Sequence, residues 1–178
     1  MPNNKQDDFI TFWQWFRKGS GGKRGVFRLL NWWLCLDYFI GAFLARICES
    51  SPSDIATKAI LPLIGALIGL TFAWVGNAQA LLQSKEIIEL SKFNKGGYVE
   101  YPYCYQIALL AVITSLILWG FAGLGIFDLP QSESNIASFA KAILFGFVSL
   151  SIRESWGIIN NAHFQLQTQY LMKTHKEK

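Results

Sequence analysis

Charge is scarce in this sequence. Asp, Glu, Lys and Arg supply 16% of its 178 residues, where average soluble domains carry roughly 25%. Cysteine and histidine are scarcer still, at three and two residues. Cys35, Cys48 and Cys104 lie in or beside apolar segments and form no CxxC pair, so neither a disulfide framework nor a zinc site is expected. His163 and His175 are the only histidines, which excludes a multi-histidine metal centre within one chain. There is no phosphate-cradling glycine loop, no GxSxG and no HExxH. No enzymatic activity, metal or cofactor is therefore expected. The net charge is +4, but no dense Lys/Arg stripe with interleaved aromatics accompanies it, so no direct nucleic-acid contact is expected.

Apolar side chains are abundant: 52% of the chain is hydrophobic and 15% aromatic, with a mean hydropathy of +0.26. This excludes disorder and points to the lipid bilayer as solvent. A span needs about 20 mainly apolar residues. Four segments approach that: Phe27 to Ile47, Ala59 to Gly76, Tyr105 to Phe127 and Ile136 to Ile159. The last is interrupted by Lys141, Arg153 and Glu154. The expected fold is an all-α integral membrane four-helix bundle. Asp7 and Asp8 precede an aromatic stretch and then a basic cluster, the wrong order for a cleavable signal peptide.

Basic residues set the orientation. Lys5, Arg17, Lys18, Lys23, Arg24 and Arg28 precede the first segment, Lys85, Lys92 and Lys95 follow the second, and Lys173, Lys176 and Lys178 close the chain. The connections Glu49–Asp54 and Asp128–Asn135 hold no Lys or Arg. Both termini are thus expected in the cytoplasm, with the protein in the cell inner membrane. Trp32, Trp33, Trp74 and Trp156 then fall at the inner interface, and Trp119 toward the outer one. Phe9, Phe12, Trp13 and Phe16 predict a short amphipathic helix on the inner leaflet, linked onward by Gly19–Gly22. Packing of that helix against the bundle is the alternative.

Segments two and four continue past the membrane without Gly or Pro, to Asn94-Lys95-Gly96-Gly97 and to Leu171. Helices two and four should extend into the cytoplasm. The extensions resemble each other: residues 77–84 (NAQALLQS) align with 161–168 (NAHFQLQT) at an offset of 84, which also pairs Gly41 with Gly125 and Leu34 with Leu118. A duplicated helical hairpin is the simplest account, with chance similarity the alternative. The organisation is then 1–22 (interfacial helix and link), 23–100 (first hairpin) and 101–178 (second hairpin).

Three features carry the functional reading. Asp37 lies nine residues beyond Arg28, roughly 13 Å along a helix. A carboxylate at that depth costs several kcal/mol unless paired, hydrated or protonated. It either serves function or pairs with a buried base such as Arg153. Ser149, Arg153, Trp156, Asn160, His163, Gln167 and Tyr170 are spaced 4, 3, 4, 3, 4, 3. That puts them on one helix face, and a polar face cannot meet lipid. It lines a pore between copies, or glues helices two and four. Gly65, Gly69, Ala73 and Asn77 repeat every four residues. They predict a helix-packing surface, within the chain or between subunits.

The leading expectation is a homo-oligomeric membrane pore or channel-like protein. Its anatomy fits a small bacterial effector or accessory that permeabilises the inner membrane in stress or antiviral defence. The second reading is a non-conducting anchor recruiting a cytoplasmic protein partner through the helix extensions. The third is a membrane-embedded enzyme using Arg153, Asn160 and His163.

Overall fold

The computed structural model describes residues 11–19, 25–85, 87–88, 100–128 and 134–176. Among these the chain is all-helical. Helix α1 spans Phe12–Lys18, α2 Val26–Leu29, α3 Trp32–Ile47 and α4 Pro52–Ile55. A π-turn at Ala56–Ile60 joins α4 to α5, Leu61–Leu82; α6 is Glu100–Gly123 and α7 Ser134–Lys176. The π-turn stands directly before Pro62, which has no N–H to return to Lys58. Among the described residues three helical stretches are long and apolar enough to cross a membrane: Pro52–Leu82, Tyr101–Gly123 and Asn135–Met172.

The first expected span is divided. Leu30 (φ −82°, ψ 61°) and extended Asn31 end α2 and restart the chain as α3, which has only 16 residues. Asn31 disfavours a helix interior and stands at the N-cap position of α3, with no capping hydrogen bond from its side chain. Helix α5 stops at Leu82, short of the expected glycine stop. Gln83 and Ser84 turn, and the Ser84 hydroxyl accepts from the Ile87 N–H at 3.4 Å. This is an N-cap that starts a new turn. The expected stop at 94–97 lies outside the described residues. At the end of α6, Gly125 adopts φ +78°, and Gly125 N–H and Ile126 N–H donate to Ala122 and Phe121 carbonyls. That Schellman geometry favours glycine. Gly125 is a cap while Gly41 is a helix-crossing residue, so their sequence correspondence has no structural counterpart.

Helices α5, α6 and α7 form the core. Trp119 Nε1 donates to Leu144 O, Ser151 Oγ to Ala111 O, and Tyr105 Oη to Gln165 Oε1. The order of these bonds makes α6 and α7 antiparallel. Trp119 is fully buried beside Phe145, so it is a core residue and not the outer interface anchor expected from sequence. Its indole N–H is satisfied by the carbonyl, which lets the ring be buried.

Helices α5 and α7 run parallel, and residues 84 apart meet. Ile60 with Leu144, and Ile64 with Val148, share one apolar cluster. Ala78 and Ala162 share a second. Between them Thr71 Oγ1 and Ser155 Oγ are 3.0 Å apart and buried. Hydrogen bonds between membrane helices average about 0.6 kcal/mol. Ser155→Ala should therefore lower unfolding free energy in micelles by about that much, read by denaturant titration of helical circular dichroism.

Helix α1 docks on the opposite end from the α4 turn. Trp15, which the Phe9–Phe12–Trp13–Phe16 pattern leaves out, is its buried residue. Trp15 meets Tyr103 at 5.4 Å between ring centroids and clusters with Cys104 and Ile107. Trp13 remains 57% exposed, and Phe9 lies outside the described residues.

Candidate functional site

Helix α3 lies antiparallel along α7. At one end Lys141 Nζ donates to the Cys48 and Ser50 carbonyls at 2.9 and 2.8 Å. The ammonium satisfies carbonyls just past the α3 C-terminus, where the helix dipole favours a cation. Lys141, an interruption in the sequence pattern, is thus used.

One turn further, the two backbones touch. A Cβ on Gly41 would lie 2.3 Å from Ala142 O and 2.6 Å from Gly146 N. Only glycine permits that approach. It brings Asp37, which is 3% exposed, against α7. Ser149 Oγ donates to Asp37 Oδ1 and Arg153 Nε to Asp37 Oδ2, each at 2.9 Å. Arg153 Nη1 reaches Glu154 Oε1 at 3.3 Å. Two carboxylates therefore share one guanidinium. Arg153 Nη2 is buried without a hydrogen-bond partner. Beside the cluster an apolar groove of about 460 Å³ runs between Leu34, Tyr38, Ile143, Phe147 and Leu150.

The seven-residue polar face of α7 is thus split. Ser149 and Arg153 are taken by α3, not by α5 as the glue reading had it. Beyond Arg153 the face is uncovered because α3 begins at Trp32, less than two turns from Asp37. Trp156, Asn160, His163, Gln167 and Tyr170 are all exposed. Gln167 Nε2 and His163 Nε2 are 3.1 Å apart. Arg153 and His163 are ten residues apart on one helix, about 15 Å by helical rise. Among the described residues no three His, Cys, Asp or Glu side chains converge as metal ligands.

Among the described residues the expected packing surface on α5 has no partner. Gly65, Gly69, Ala73 and Asn77 are exposed, and a Cβ on Gly65 or Gly69 would meet nothing within 4 Å. The helix contact made by glycine is instead Gly41 against Gly146. Sequence reading missed it because neither residue stands in a GxxxG pair; each is a lone glycine in an apolar run. No protein-family model, curated protein or solved structure matches this chain.

Proposed function

We propose that the chain is a homo-oligomeric pore or channel-like protein of the inner membrane. It is built as a duplicated helical hairpin with four spans, α3 being the first. One observation carries this reading: the uncovered polar face Trp156–Asn160–His163–Gln167 on a 43-residue helix. Such a helix is about 64 Å long, against a hydrocarbon core of about 30 Å. The face begins one turn beyond the Asp37–Arg153 pair, at the inner end of the fourth span, and runs on along the cytoplasmic extension. Copies of the chain gathered around one axis would turn it toward the water at the mouth of the pore. The pairing of residues 84 apart in α5 and α7 supports the duplication. Cytoplasmic termini are supported by the charge pattern, since the basic residues at the other end include Lys58, paired with Asp54 at 2.8 Å, and Lys141, engaged with carbonyls.

Purified protein reconstituted into vesicles should release trapped ions. Asn160→Leu with Gln167→Leu should change the flux, because both residues lie on the uncovered face and neither supports the α3 contact. Vesicles that stay tight at every protein-to-lipid ratio would remove the reading.

A non-conducting anchor is the second reading. It is favoured by Phe164, Leu166, Tyr170 and Leu171, exposed by 48–71% on the α7 extension. An apolar surface there suits a cytoplasmic protein partner. Retention of a soluble protein through high salt, without ion flux, would favour it.

A further inference from the structure

Helices α5 and α7 meet through equivalent residues at the 84-residue offset, so each face of one has a counterpart on the other. The α7 face that receives α3 comprises Ala142, Gly146, Ser149 and Arg153. Its counterpart on the π-turn and α5 is Lys58, Pro62, Gly65 and Gly69, and all four are exposed. Among the described residues, one half of the repeat thus holds a helix where the other half holds none. The membrane window of α5 is 22% buried within the chain, against 39% for α6 and for α7.

We infer that this open α5 face receives helix α3 of a second copy of the chain. The inference rests on the oligomeric reading above. Two features select α3 as occupant. The first is the equivalence itself, since α3 is the helix that the matching face binds. The second is shape. The side of α3 turned away from α7 carries Trp32, Phe39 and Phe43, exposed by 79%, 69% and 59%. The α5 face is a groove of glycines, with glycine at both positions where α7 has the Asp37 ligands. Large side chains over small ones allow close helix approach without an ionic partner. Carrying over the register of α3 on α7 puts Gly41 level with Pro62, and so Phe39 level with Ile64 and Gly65.

A contact between α5 of one copy and α3 of the next is heterologous. It repeats around the assembly and closes into a ring if the rotation allows. Each α3 would lie between α7 of its own copy and α5 of its neighbour.

The test uses Phe39→Cys and Gly65→Cys in a full chain carrying Cys35→Ser, Cys48→Ser and Cys104→Ala. Monodisperse elution and helical circular dichroism check folding first. Both new cysteines replace exposed residues, and Gly65 has open space for a side chain. The double variant in vesicles should give an oxidative ladder of dimer, trimer and higher species, with neither single variant doing so. A dimer from Gly65→Cys alone would show α5 meeting its own copy and overturn the assignment. So would the absence of any crosslink. Independently, Gly69→Leu in the native background should abolish the oligomer while leaving the chain's thermal unfolding in place; retention of the oligomer would count against the interface. A ladder in vesicles that stay tight keeps the interface and removes the pore. Ion flux without a ladder keeps the pore and removes this interface.

Discussion

Replacing Arg153 with methionine is expected to cost about 3–5 kcal/mol of stability, the range for removing one partner of a buried ion pair. The physical reason is the sharing of one guanidinium by two carboxylates. Without it Asp37, 3% exposed, keeps only the Ser149 hydroxyl, and Glu154 also loses its cation. Asp37→Leu should cost less, because Arg153 retains Glu154. Buried pairs replaced together by apolar groups are often neutral. The double variant Asp37→Leu/Arg153→Met should therefore recover much of the loss. Denaturant titrations of all three variants in one micelle system give the cycle. Additive losses, with no recovery in the double variant, would mean that the two side chains do not act as a pair.

Gly41→Ala is expected to be the most damaging single methyl group in the chain. Overpacking typically costs about 1–3 kcal/mol. Here the obstructing atoms are Ala142 O and Gly146 N, both backbone, so no side chain can swing aside. Separation of the helices by even a fraction of an ångström also lengthens both 2.9 Å bonds to Asp37. A loss at or above the upper end of that range is expected. Gly65→Ala and Gly69→Ala supply the contrast. Their Cβ atoms meet nothing, and Ala is favoured over Gly in a helix interior by about 0.8–1.0 kcal/mol. Those variants should unfold no earlier than the parent in micelles. Equal effects at Gly41 and Gly69 would contradict the crossing geometry.

These two results bear on how much the sequence disclosed. Membrane class, the long fourth helix and the polar face on it follow from composition and period, because both solvent preference and helical spacing are local. Asp37 stood out because a carboxylate among Leu36, Tyr38 and Phe39 is expensive, and Arg153 was named as its possible base. Which helix Ser149 and Arg153 face was not readable. That depends on a crossing between residues 105 positions apart, Gly41 and Gly146, and a lone glycine carries no sign of its partner. The GxxxG pair on α5 drew attention to packing, yet among the described residues nothing covers its face. The cap residues Asn31 and Ser84 gave a local signal, each standing just before a new helical turn. The apolar or helix-favouring runs around them masked it. Trp119 looked like an interface anchor from position alone; its carbonyl partner on α7 lies 25 residues on.

The most direct measurement is an electron-microscopy structure of the particle extracted into lipid nanodiscs. The expected result is several copies around one axis, with the Trp156–Asn160–His163–Gln167 face of each α7 toward a water-filled centre. A single copy, or an assembly with that face turned outward, would contradict the account.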